Sequence, residues 1–280
     1  MDDASQARVR VRTGERVAGR RRLWGGTWRL MLLPMLVFIV LPLAALITRT
    51  TPQAIWSHLL MPPVQQAIRL SLLTSLVTVA LAVIFGLPVA YYLAHSHYRF
   101  HRLIDTLVDL PTVLPPAVAG LALLMAFGRR GLLGGWLDAF GVQLPFSAAA
   151  VVLAQLFVSA PLFIRAATVG LNAVDCELLK AAALDGASRW QSFRYIMLPM
   201  ASLPLISGCL LTWARALGEF GATIIFAGNL PGRTQTMPLA IYLGFELDLD
   251  LALTLSVILV GLSFTTLLLV KAIFYKQWME

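Results

Sequence analysis

The 280-residue chain is 59% hydrophobic and 13% charged, about half the charged share usual in soluble domains, which argues against an ordinary water-soluble fold. Its net charge of +8 invites a nucleic-acid reading, but the basic residues sort by loop instead of gathering on one patch, which argues against that as well. The two cysteines, Cys176 and Cys209, are too far apart for a metal-ligand pattern and read as small packing residues.

Residues 1–28 form a basic tail. Its arginine-rich run 8–22 is too polar to pack and suits an anionic lipid surface. Six apolar runs follow, at 30–48, 67–94, 110–127, 148–171, 200–226 and 251–274. About 20 residues of helix cross a bilayer core, and backbone groups in lipid must be satisfied internally, so each run is expected to be a helix. Barrel-type alternation is absent. The fold class is therefore an all-α polytopic membrane protein with about six transmembrane helices. The first run exceeds the apolar length of a signal peptide and reads as an uncleaved helix, making 29–62 an extra amino-terminal helix and outer loop before a main domain at 63–275.

Pro62-Pro63 marks the loop before the second run. The third opens Leu110-Pro111-Thr112-Val113-Leu114-Pro115-Pro116, so it is expected to kink or to start late. Broken helices often line transport paths; a plain packing kink fits equally. Gly128, Gly131, Gly134, Gly135 and Pro145 make 128–147 a turn-rich connection.

Sixteen basic residues fall on one side. They are Arg8, Arg10, Arg12, Arg16, Arg20, Arg21, Arg22 and Arg29 in the tail, then Arg99, Arg102, Arg165, Lys180, Arg189, Arg194, Lys271 and Lys276. Five, Arg49, Arg69, Arg129, Arg130 and Arg233, fall on the other, and Arg215 lies inside a span. The richer side is expected to be cytoplasmic, with both termini there.

The segment 172–199 is long and patterned for a chain made mostly of membrane spans. Residues 174–184 can form a short helix, Asp185-Gly186 can break it, and 188–197 can form a second. Pro199 suits the first turn of the next helix. Ala181 and Ala182 are small enough to let another surface approach. Trp190 and Phe193 share a helical face, flanked by Arg189 and Arg194, a composition typical of interaction hot spots. An amphipathic helix lying on the membrane surface fits these residues equally well.

The spacing from Ala181-Ala182 through Asp185-Gly186 to Ile196-x-Leu198-Pro199 resembles the signature loop of ABC importer permeases, with Lys180 where Glu is usual. Arg215-Ala216-Leu217-Gly218-Glu219-Phe220-Gly221-Ala222-Thr223, followed by Phe226-Ala227-Gly228-Asn229-Leu230-Pro231-Gly232-Arg233, is similar to the molybdate permease family, with sulfate and tungstate permeases as looser relatives. This resemblance runs from about 64 to 270. It implies a type I ABC importer permease in a bacterial inner membrane: a homodimer, with two copies of a cytoplasmic ABC ATPase docked on the 172–199 loop and a periplasmic or extracellular molybdate-binding protein on the other face. The chain contains no phosphate-binding loop, so ATP-Mg is expected in the partner subunit, with no cofactor or metal and no nucleic acid bound by this chain.

For a doubly charged oxyanion, Thr223, Asn229, Gly218, Gly221 and Gly228 can expose hydroxyl, amide or backbone donors, with Phe220 among them. Arg215 and Glu219 lie one turn apart and read either as a gate or as a structural ion pair. Arg129, Arg130, Arg233, Glu246, Asp248 and Asp250 can seat a binding protein or form a solvated face. A secondary ion-coupled carrier would need ionisable relays in several spans, and an intramembrane hydrolase a nucleophile and base within reach. His58, His95, His97 and His101 all fall outside or at the edges of spans, which disfavours the latter.

Overall fold

The computed structural model describes residues 31–95 and 100–277, and side chains up to 272. The arginine-rich tail, His97 and Arg99 lie outside the described residues. The chain divides into two units, Met1–Thr51 and Pro52–Glu280. The first contains helix α1, Met31–Thr48, with apolar side chains exposed along it.

In the second unit, α2 (Pro52–Leu59) leads into α3 (Pro62–His95), α4 (His101–Val113), α5 (Pro116–Phe127), α6 (Gly134–Ala139) and α7 (Ala148–Asn172). Next come α8 (Cys176–Leu184), α9 (Arg189–Met200), α10 (Ser202–Leu217), α11 (Gly221–Phe226), α12 (Met237–Leu247) and α13 (Leu249–Gln277).

The spine is α3 against α7. Ala67, Ser71, Ser75, Thr78, Ala82, Gly86 and Ala90 recur every three or four residues as a buried small-residue stripe, which lets helices approach without a hydrophobic drive between them. A Cβ on Gly86 would lie 3.0 Å from side-chain atoms of Phe163 and Ile164. The hydroxyls of the stripe serve as glue. Thr78 donates to the buried Gln155 Oε1 of α7 (3.1 Å), Ser75 accepts from Trp213 Nε1 of α10 (2.9 Å), and Ser71 accepts from the Met237 N–H that opens α12 (2.7 Å). The opposite face of α3 leaves Leu73, Leu76, Ile84 and Phe85 exposed, as a lipid-facing surface requires.

Two of the expected spans are broken. The third does not run 110–127: Leu110–Val113 belongs to α4, and α5 leaves it at a bend of 116°. The cause is Pro115-Pro116. A residue before proline is pushed out of the helical region, and Leu114 and Pro115 are both extended (ψ 135° and 134°). The fifth, expected at 200–226, is instead α10, entered from α9 through a 70° bend at Ala201, then interrupted at Gly218–Phe220 before α11. Arg215 is also not the lone basic residue in a span, since Arg69 lies within α3 and Arg165 within α7.

Candidate coupling and translocation site

The 172–199 loop folds as its residues suggest. Asp175 caps α8 by accepting from the Glu177 N–H (2.8 Å). The helix stops in a Schellman turn, where Ala187 N–H bonds Ala182 O (2.9 Å) and Gly186 N–H bonds Ala183 O (3.1 Å). Gly186 sits at φ +86° with Asp185 before it, a backbone region that side-chain-bearing residues rarely adopt. Ser188 then opens α9 with a capping box, its Oγ accepting from Gln191 N–H while the Gln191 side chain accepts from Ser188 N–H.

The end of α9 differs from expectation. Phe193–Met197 is a π-helical turn, closed by Leu198 N–H on Phe193 O, and Pro199 follows in the last turn of α9, ahead of the bend into α10. Buried Met197 and Ala201, with Phe193, Ile196 and Leu179 beside them, root the loop in the core formed by α3 and α7. Its crown is bare: Leu184 is 89%, Tyr195 69% and Trp190 64% exposed. The Trp190 and Phe193 rings lie 5.6 Å apart, as their shared face implies. Ala181, Asp185, Arg189 and Pro199 are exposed as well, while Ala182 and Leu198 are partly covered.

The second group surrounds the break after α10. Arg215 Nη1 pairs with Glu219 Oε2 (2.8 Å), and Glu219 Oε1 accepts from the Ala222 N–H (2.8 Å). The carboxylate therefore fills the amino-terminal end of α11 itself. Gly218 is exposed and ends α10. Gly221 allows α11 to lie on α5, since a Cβ there would come within 2.5 Å of Pro116 Cβ; likewise a Cβ on Gly120 would meet Ala222 O at 2.7 Å. The two broken helices thus pack at their breaks through glycine. The Phe220 ring packs at a tilt of 48° against Tyr242 of α12 (centroids 5.4 Å apart). Thr223 is fully buried with its hydroxyl unpartnered, and Asn229 uses its amide N–H on Leu239 O (3.2 Å), leaving its buried Oδ1 unpaired.

Sequence reasoning missed one cluster. Arg165 of α7 forks onto Asp105 and Asp109 of α4, with its Nε 2.7 Å from Asp109 Oδ1 and its Nη1 on Asp105 Oδ1. Asp105 and Asp109, four apart, share one helical face, a signal that was available. The cluster ties α4 across α7 near the end from which the loop emerges.

A family model described as a binding-protein-dependent transport system inner membrane component matches residues 82–276. The chain is 42% identical over 225 residues to the molybdenum transport system permease protein ModB of Mycobacterium tuberculosis, covering 80% of this chain and 85% of that one. It is 40% identical over 207 residues to the probable transport system permease protein NifC of Clostridium pasteurianum (74% and 72% covered). The sulfate transport system permease protein CysT of Escherichia coli is 35% identical over 235 residues (82% and 85%). Among solved structures, a bacterial alginate ABC transporter superposes with a TM-score of 0.62 at 14% identity (87% and 91% covered). An inward-facing MetNI methionine ABC transporter gives 0.58 at 19% identity (80% and 99%).

Proposed function

Because the chain belongs to the family of binding-protein-dependent transport system inner membrane components, we propose that it is the membrane permease subunit of an ATP-driven importer of molybdate. The protein is a multi-pass inner-membrane transport subunit. The reading of its cargo rests on the higher identity to molybdenum permeases, 42%, than to the sulfate permease, 35%. Sulfate, thiosulfate or tungstate carriage is the second reading, favoured by that sulfate relative.

One observation carries the mechanism: a loop with a buried root and a bare apolar crown made by Leu184, Trp190 and Tyr195. Such a crown outside the bilayer calls for a protein partner. A separate ATPase gripping α8 and the start of α9 fits it, with the ATP held by that partner. Lys180, Arg189 and Arg194 on this segment support a cytoplasmic side for it, and for both termini with it. A push on the crown passes through rooted α9 and the 70° bend into α10, then to the break at Gly218–Phe220 where α11 meets α5. Two copies of the chain enclosing the path, with a binding protein delivering the anion to the far face and lipid around them, complete the cycle.

The cargo test is uptake of labelled molybdate by cells expressing the full transporter, with unlabelled competitors. Tungstate is expected to compete as well as molybdate and sulfate much more weakly. Equal competition by sulfate reassigns the cargo.

A further inference from the structure

At the end of the bundle opposite the 172–199 loop, a cavity of about 480 Å³ opens between the 128–147 connection and the segment after α11. The 25 residues of α7 separate the two, a rise of about 37 Å against a hydrocarbon core of about 30 Å. Arg129 and Arg233 both line this cavity, and no acidic residue does. Among the described residues neither arginine makes an ion pair.

Arg129 is held through its side chain and Arg233 through its backbone. Arg129 Nη2 donates to Gln143 Oε1 (2.6 Å), which fixes one edge of the guanidinium and leaves its other donors free. Arg233 stands in a tight turn where its own N–H and those of Thr234 and Gln235 converge on Leu230 O at 3.0–3.1 Å, after Gly232 at φ +74°. Ser147, which caps the start of α7, also lines the cavity. Two cations sharing one concave space without a counter-charge repel each other, and a dianion between them removes that cost. Guanidinium forks match the edges of tetrahedral oxyanions.

The wall continues onto the carboxyl end of α11. Phe146 lines the cavity at φ +61°, donates its N–H to Phe226 O (3.4 Å), and lies so close to Gly228 that a Cβ there would come within 2.9 Å of the Phe146 ring.

Building on the importer reading above, we propose that Arg129 and Arg233 form a transient capture site for a tetrahedral oxyanion dianion at the outer mouth, where the anion waits before entering the path. The cavity is large enough for the anion to keep part of its hydration, which suits capture followed by release. Gln143 is a positioning residue for Arg129.

The test uses the assembled transporter in lipid nanodiscs. Equilibrium dialysis with radiolabelled molybdate measures binding, sodium sulfate serves as the competing dianion, and sodium chloride holds ionic strength constant. Wild-type protein is expected to bind saturably. Arg129→Gln and Arg233→Gln should each weaken binding about tenfold, as expected for one lost charge-assisted contact. Gln143→Ala should weaken it a few-fold. Unchanged binding in the Arg129→Gln/Arg233→Gln double variant overturns the proposal. So does a double variant that binds molybdate normally but no longer sediments with the delivery protein, which makes the arginines a protein-docking pair. If the wild-type transporter neither binds nor takes up any oxyanion, the importer reading falls too; if it transports and the double variant matches it, only this inference falls.

Discussion

Replacing Arg215 alone should damage the protein more than replacing Arg215 and Glu219 together. In the folded chain Glu219 is 2% exposed and Arg215 35%. Removing one member of a buried ion pair costs about 3–5 kcal/mol, because the other charge stays buried without compensation. Arg215 is a third exposed, so solvent already carries part of the interaction, and about 2–3 kcal/mol is the better figure for Arg215→Ala. Adding Glu219→Gln removes the stranded charge, while the Gln amide oxygen can still accept the Ala222 N–H. The double variant should therefore lose only about 1–1.5 kcal/mol. Thermal denaturation in nanodiscs reads this as a midpoint roughly 5–8 °C lower for Arg215→Ala, with about half recovered in the double variant. A double variant no more stable than Arg215→Ala would refute the reasoning, since it would mean that the Glu219 charge is not compensated by Arg215.

Other substitutions test other parts of the account. A side chain added at Gly186 meets open space, so Gly186→Val should cost only about 1–2 kcal/mol of backbone strain, yet release the ATPase in a pull-down while the permease stays inserted. Trp190→Ala should leave the melting midpoint nearly unchanged and weaken ATPase binding tenfold or more, measured by titration of the purified subunits. Gly221→Ala should cost about 1–3 kcal/mol by forcing α11 off Pro116, whereas Gly135→Ala, with no atom near its new methyl, should cost almost nothing. Asp105→Asn with Asp109→Asn should free α4 from Arg165, seen as faster hydrogen exchange across 101–113 with α7 protection intact.

The loop was the most legible part of the chain because its punctuation is local. Asp185-Gly186 breaks a helix by backbone geometry alone and lets 188–197 be read as a second one, although the Ser188-x-x-Gln191 box that starts it was passed over. The late start of α5 was legible for the same reason, from Pro115-Pro116. The break at Gly218–Phe220 was not, because the interruption is held by Glu219 turning back onto Ala222 and by Pro116 packing from another helix, contacts that no local pattern announces. The 11-residue α12 escaped notice because it is too short to cross a bilayer, and Ser71 of α3 supplies the partner for its first N–H. Arg165 was counted with a loop because its partners, Asp105 and Asp109, stand 56 to 60 positions earlier, where no periodicity links them.

The most direct measurement places the permease in proteoliposomes with its ATPase and binding protein, the 172–199 loop facing a compartment that can be loaded with ATP, and follows molybdate accumulation on that side. Accumulation should require ATP there and should vanish when Gly186→Val permease replaces the native chain. Accumulation that proceeds with the ATPase omitted would contradict the account.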